Sequence, residues 1–445
     1  MSGPRAPATT YQNYQGVWRP APPAPSAPPA GTAPLASGPR PPSLVPYLSG
    51  TAKPGAAEPE TPPPLPAPSD SGSRVALLLP LTGPNARLGS AMLNAAQLAV
   101  FDWADEKFEL VVHDTGGTTD GARIAAELAI GDRATVILGP LLASNVRAVA
   151  PVARTAGVPV VAFSSDRSVA GNGVYVMGFL PGAEVRRVVG YARSRGIQRF
   201  AALAPGNAFG ETVVSALREA AAQSGGTVVQ AEFYDPDAAD FSPVVRHLAN
   251  YDARRHALVS QRKALEGKED EVSKRALDRL SRLQTLGELP FEALLVADGG
   301  KRLQAIAALL PFYDIDPAKV RMLGTGQWDE PGIGAEPALL GGWFAAPPPQ
   351  TRTVFEQRFR QVYRQAAPRL ATLAYDAAAL AAVLAKTNGL SVKTLTASGG
   401  FWGADGIFRF RPDGLAERGL AVLQVGRDGA KVIGKAPEAF APLTN

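Results

Sequence analysis

The chain has 445 residues, 46% of them hydrophobic, and a net charge of +5 from 45 Lys+Arg against 40 Asp+Glu. This is enough for a sizeable core and two or three domains, and with no dominant Lys/Arg run it does not indicate a nucleic-acid partner. The absence of cysteine excludes disulfides, thiolate metal sites and a cysteine nucleophile, and no apolar run reaches the ~18 residues of a membrane-spanning helix.

Residues 1–73 carry 20 of the 41 prolines, in runs such as "RPAPPAPSAPPAG" and "TPPPLPAPSD". Proline fixes φ and removes a donor, so neither helix nor sheet is expected there. The stretch predicts a disordered, polyproline-rich segment, either a spacer or a stalk leading from an anchor. Its start, "MSGPRAPATTYQNYQ", lacks the apolar core of a secretory signal. The chain is then a mature or trimmed exported protein, or a cytoplasmic one.

Order begins at Arg74. "RVALLLPL" is a continuous apolar run, the mark of a strand buried on both faces. A helix is predicted from Ser90 to Asp105, a strand at 108–114 and a helix over 119–131 with Thr118 or Thr119 as N-cap. "ATVILG" (134–139), a helix, and "VPVVAFS" (158–164) continue the alternation. Strands alternating with helices of this length imply βαβ units and a parallel sheet. The pattern restarts after "FLPG" (179–182). Helices over 183–195 and 209–224 alternate with strands at 199–205, 227–234, 291–298 and 320–326. Helices at 351–365 and 370–387 follow, then a β region at 406–425 with a "PDG" turn. Between Ala249 and Pro290 lies a charged interruption. Leu258, Leu265, Val272, Leu280 and Leu283 form a near-heptad stripe, which predicts one or two solvated helices with one apolar seam. Such an insert is either an embellishment packed on its lobe or a partner-binding surface.

The three histidines, His113, His247 and His256, do not pair at metal spacing. There is no G-x-S-x-G, Walker A or G-x-G-x-x-G. One S-x-x-K match, Ser260 to Lys263, falls in the charged insert without the companion motifs of an acyl-serine enzyme. What remains is binding geometry. In an open parallel sheet, ligands lie beyond the C-terminal ends of the strands, against helix N-termini. The loops there are 80–89, 139–145, 163–168, 205–211, 297–301 and 325–332. Any one serine among them can equally be an ordinary cap.

The ordered run "ALLLPLTGP", "VVHDTGG", "VILGPLLASNVRAVAPVARTAGVPVVAFSSD", "GNAFGETVVSAL", "LATLAYDAAALAA" resembles the type I periplasmic binding proteins of the leucine-binding branch, over about 74–425. The resemblance implies an α/β fold of two Rossmann-like lobes with parallel sheets, joined by three crossovers and closing on a ligand. Lobe one would be 74–178 plus 349–395, and lobe two 179–348 plus 396–435, with the helical insert at 250–290. It also implies that the loops of Ser144 and of Ser164 and Ser165 hold the carboxylate and amino group of an amino-acid-like ligand. The other implied contacts are Phe209, Asp298, Gln327, Asp329 and Tyr375, with no catalytic residue, metal or cofactor. Phe209 stands where amino-acid-binding members usually carry Tyr. "TGQWDEPG" stands where they usually carry an acid for the ammonium.

Through "LLVADGGKRLQAIAALLPFYDIDPAKVRMLGTGQWDEP", "LLGGWFAAPPP" and the charged insert, the chain also resembles the penicillin-binding protein activators, lipoproteins of Gram-negative envelopes. This implies a non-enzymatic periplasmic protein tethered to the outer membrane, with a class A penicillin-binding protein as partner in peptidoglycan synthesis. The chain departs from that group in having no lipobox cysteine and no helical-repeat N-terminal domain. The other reading is the substrate-binding subunit of an ABC transporter for amino acids or similar small molecules.

Overall fold

The computed structural model describes residues 73–387 and 389–441, together with a two-residue antiparallel pairing of Asn13–Tyr14 with Val17–Trp18. Nearly all of the stretch expected to be disordered lies outside the described residues. The short pairing departs from the expectation that no sheet forms there. It falls in a proline-free interval between Pro7 and Pro20, where the backbone keeps all its donors.

The chain divides into two compact units. The first comprises residues up to 179, 349–419 and 438 onward; the second comprises 180–348 and 420–437. The first unit starts with β1 (Arg74–Leu79), α1 (Ala86–Trp103), β2 (Glu109–Asp114), α2 (Thr119–Gly131), β3 (Val136–Leu138), α3 (Ala143–Thr155), β4 (Val160–Ala162) and β5 (Val174–Val176). The strands form one parallel sheet in the order β2-β1-β3-β4-β5. Parallel neighbours need long crossovers, and the helices supply them. From Val75 to Leu79 β1 is apolar and buried, because both its faces are covered.

The second unit begins with α4 (Pro181–Ser194), β6 (Arg199–Pro205), α5 (Ala208–Gln223), β7 (Thr227–Tyr234) and α6 (Ser242–Leu248). The insert follows as α7 (Tyr251–Leu265) and α8 (Glu271–Ser281). The predicted single seam does not form. Leu258 and Leu280 are buried, but Val272 is 77% exposed and Leu283 is also exposed. Gly267, at φ 83°, turns the chain back, so the repeat cannot run through both helices. The insert is tied down by arginines. Arg254 donates to Asp314 at 2.8 Å and to the Gly287 carbonyl at 3.0 Å, and Arg262 Nε donates to the Leu280 carbonyl at 3.0 Å. Then come β8 (Ala293–Val296), α9 (Gly300–Phe312), β9 (Arg321–Gly324) and β10 (Trp343–Ala346).

The last quarter returns to the first unit as α10 (Pro349–Tyr363), α11 (Ala371–Thr387), α12 (Val392–Leu395), β11 (Phe401–Gly403), β12 (Gly406–Phe410) and β13 (Ala416–Arg418). Residues 396–419 therefore group with the first unit, where the resemblance assigned them to the second. The reason is packing. β11, β12 and β13 form a small antiparallel sheet whose Phe401, Phe408 and Phe410 are buried in one core with α1 and α11. Beneath it, Asp376 accepts from the Ala404 N–H at 2.6 Å, and Asp405 pairs with Arg369 at 3.0 Å. β14 (Ala421–Gly426) and β15 (Gly429–Gly434) close the second unit's sheet, in the order β15-β14-β10-β9-β8-β6-β7, with β14 and β15 antiparallel. Among the described residues, no helix is long and apolar enough to cross a membrane.

Candidate ligand-binding edge

In the first unit the strand order reverses between β1 and β3, which places the switch point at the loops after those two strands. The loop after β3 is shaped by Gly139, at φ 92°. A Cβ there would stand 2.2 Å from the Leu78 carbonyl oxygen, so only glycine lets this loop cross β1 so closely. The loop delivers the chain into α3 through Leu142, which has no side chain able to cap. The first helical bond is Val146 N–H to Leu142 carbonyl at 3.0 Å. The N–H groups of Ala143, Ser144 and Asn145 precede it and find no acceptor among the described residues. Ser144 is exposed beside them, its hydroxyl 3.4 Å from the buried Asn145 Oδ1. This is a helix start whose first N–H donors and dipole are left without a side-chain cap.

The loop after β4 stands next to it. Ser164 is only 4% exposed, and its hydroxyl accepts from the Asp166 N–H at 3.1 Å. It works as a turn cap, while Ser165 is exposed. Asp166 accepts from the Ser168 N–H at 2.9 Å and from Arg147 Nη2 at 2.7 Å. Arg147 lies one turn beyond Ser144 on α3, so it laces the two serine loops together. Burial raises the Asp166 carboxyl's pKa, but the Ser168 and Arg147 bonds outweigh it and hold the carboxyl below its ordinary range. At the loop after β1, Asp114 accepts from the Leu81 N–H (2.8 Å), the Thr82 N–H (3.2 Å) and the Gly116 N–H (2.8 Å). It also accepts from the Thr82 hydroxyl at 2.6 Å. Burial again opposes and these bonds prevail, so this carboxyl too is held low. Both acids on this edge are thus occupied, and the open groups are donors.

The second unit's strand ends differ. Asn207 Oδ1 caps α5 by accepting from Phe209 and Gly210 N–H, both at 3.1 Å. Phe209 is half-buried against the unit's core. Asp298 is buried and accepts from the Tyr234 hydroxyl, from Arg302 Nε at 2.8 Å and from the Gly299 N–H at 2.8 Å. Burial, then the Asp298 contact, pushes the Tyr234 hydroxyl's pKa far up, so it stays a donor. Gln327 is exposed and packs close to Gly299, Asp329 is half-buried, and Glu184 accepts the Gly326 N–H at 2.8 Å. Here Asn207 fills the start of α5, while α9, entered through Gly299, has no side-chain cap.

Ser144, Ser164 and Ser165 therefore share the first unit's strand-end edge, and Phe209, Asp298, Gln327 and Asp329 share the second's. Tyr375 joins neither. Its hydroxyl donates to Asp102 at 3.0 Å and accepts from Trp103 Nε1 at 3.2 Å, at the C-terminal end of α1. α1 starts at the ligand-type edge and runs back 18 residues, so this end lies at the opposite edge of the sheet. Arg147 and Asp166 were missed as site residues. The spacing of Ser144 to Arg147 on one helix face and the Asx-turn signature in "SSDRS" were the available signals. Ser260 lies exposed on α7 in the insert, away from the strand-end loops in sequence. Among the described residues, no cluster of three His, Asp or Glu side chains has metal-site geometry.

A family model described as a periplasmic binding protein matches residues 73–430. Among solved structures, an ABC transporter substrate-binding protein from Sphaerobacter thermophilus is similar at 18% identity and a TM-score of 0.63, covering 82% of this chain and 98% of that one. A solute-binding protein of an ABC transporter from Rhodopseudomonas palustris BisB5, in complex with 3,4-dihydroxybenzoic acid, is 19% identical with a TM-score of 0.58, over 84% and 98% of the chains. A branched-chain amino acid transporter substrate-binding protein from Streptococcus pneumoniae, in complex with isoleucine, is 16% identical with a TM-score of 0.56, over 82% and 100%. At these identities the likeness shows the fold. No curated protein matches.

Proposed function

The chain belongs to the periplasmic binding protein family, and from that premise we propose that it captures a small carboxylate-bearing molecule for an ABC-type importer, without a chemical step of its own. The observation that carries this reading is the uncapped start of α3, with three N–H donors and the Ser144 hydroxyl beside the Ser165 loop. A carboxylate would accept from those donors and be favoured by the helix dipole. Two relatives of the fold were solved with carboxylates of different kinds, isoleucine and 3,4-dihydroxybenzoic acid, which supports the carboxylate as the shared handle. On the first unit's own edge the acids Asp114 and Asp166 are already taken up by the protein's donors. An ammonium group would find no free carboxylate there, so we favour an aromatic or other acid lacking an ammonium over an α-amino acid. Calorimetry with benzoate, 4-hydroxybenzoate, leucine and isoleucine tests this. Binding in the micromolar range or tighter, weakened at least tenfold by Ser144→Ala, is expected. Silence across the panel would count against it.

A second reading, activation of a penicillin-binding synthase in the envelope, draws on one feature, the arginine-anchored α7–α8 insert with Val272 displayed outward. A pull-down with a class A penicillin-binding protein tests it: capture that Val272→Asp abolishes supports the reading, and no capture of the synthase removes it.

A further inference from the structure

β2 is the outer strand of the first unit's sheet and, among the described residues, pairs on one side only, with β1. The Glu109 N–H bonds to the Ser73 carbonyl at 3.0 Å and the Thr115 N–H to the Leu79 carbonyl at 2.9 Å. Odd-numbered residues thus turn their peptide groups toward β1, while Leu110 and Val112 turn theirs outward. Such an edge is normally blunted by lysine, proline, a bulge or a covering segment. β2 reads "ELVVHD", with no lysine or proline, and its register with β1 is unbroken.

The N-terminal segment holds a suitable cover. Its longest proline-free stretch, Ala8 to Arg19, reads "ATTYQNYQGVWR" and gathers Thr9, Thr10, Tyr11, Tyr14, Val17 and Trp18. These β-branched and aromatic residues favour strands. Asn13 pairs with Trp18 and Tyr14 with Val17 in antiparallel fashion. The Val17–Trp18 backbone lies alongside β2, with Cα atoms within 8 Å. Residues 19–72, 54 in number, join it to Ser73, itself bonded to the first residue of β2. At about 3 Å per residue that length easily exceeds the roughly 20 Å of a six-residue strand.

We infer that the segment around the Asn13–Tyr14 and Val17–Trp18 pairing is a guard for the first unit's sheet, supplied by this same chain. It docks on the β2 edge, pairs with the outward peptide groups of Leu110 and Val112, and keeps that edge from pairing with another copy. Hydrogen exchange on the full chain tests this, read at the Leu110 and Val112 amides. Val17→Pro removes a donor from that segment without touching the folded units. The two amides are expected to exchange at least tenfold more slowly in the wild-type chain than in the Val17→Pro variant, at every protein concentration. Fast exchange in both, or equal protection in both, overturns the inference. Protection that fades on dilution overturns it too, because the occupant is then a second copy.

Discussion

Replacing Ser144 by Asp sets stability against binding. Position 144 is the second residue of α3, where three N–H donors have no acceptor and the cap is Leu142. A carboxylate placed there supplies the missing charge, worth about 0.3–1 kcal/mol at an exposed helix start. In a domain of this size that corresponds to a rise in Tm of roughly 1–4 °C. The same carboxylate occupies the donors a ligand would need and repels a ligand anion. Two like charges about 4 Å apart near a protein surface repel by ~4 kcal/mol at the effective dielectric suited to such sites, so affinity should fall by at least a hundredfold. Thermal unfolding without ligand and calorimetry with the best-bound carboxylate read the two effects. A variant that is more stable and no longer binds fits the geometry. A Tm that falls would show that the donors are not open, and affinity unchanged within twofold would show that the ligand sits elsewhere.

Gly139→Ala combines a left-handed φ of 92° with a Cβ 2.2 Å from the Leu78 carbonyl oxygen. A cost of about 3 kcal/mol or more is expected, read as a Tm lower by ~6 °C or more. Asp114 and Asp166 have folded pKa values below their unfolded ones. Their contribution is therefore present above the ordinary carboxylate range and lost as pH falls through the depressed folded values. Asp376 has the opposite sign: burial, then the neighbouring Asp405 charge, raises it, so its penalty grows as pH rises past the ordinary carboxylate range. The Tm advantage of the wild-type chain over Asp166→Asn should accordingly vanish on acidification, and a gap that persists well below the ordinary carboxylate range would contradict the Arg147–Asp166 pairing. Leu258→Ala opens a cavity at a fully buried position of α7 and should cost about 2–5 kcal/mol. Faster proteolysis between α7 and α8 checks it; unchanged cleavage would mean that the insert does not depend on that contact.

Much of the fold was legible because it is written in local periodicity. "RVALLLPL" and "ATVILG" form buried parallel strands, and the helix over 119–131 forms with Thr118 accepting from the Gly121 N–H as its cap. The strands Val174–Val176 and Trp343–Ala346 escaped, being three or four residues long with no alternation to mark them. The assignment of 396–419 failed for another reason. Which core receives Phe401, Phe408 and Phe410 is decided by tertiary packing, which residue order does not record. At the site, the serine loops could be placed from strand ends alone. That Ser164 is used up inside its own turn, that Asp298 is paired with Arg302 and that Tyr375 is tied to Asp102 depend on partners 2 to 273 residues away in sequence.

The most direct measurement is a crystal structure of the protein grown with saturating 4-hydroxybenzoate and, separately, with isoleucine. The account predicts a carboxylate whose oxygens lie about 2.7–3.2 Å from the N–H groups of residues 143–145 and from the Ser144 hydroxyl. A ligand bound with its carboxylate away from the start of α3, or a start of α3 left empty at saturation, would contradict it.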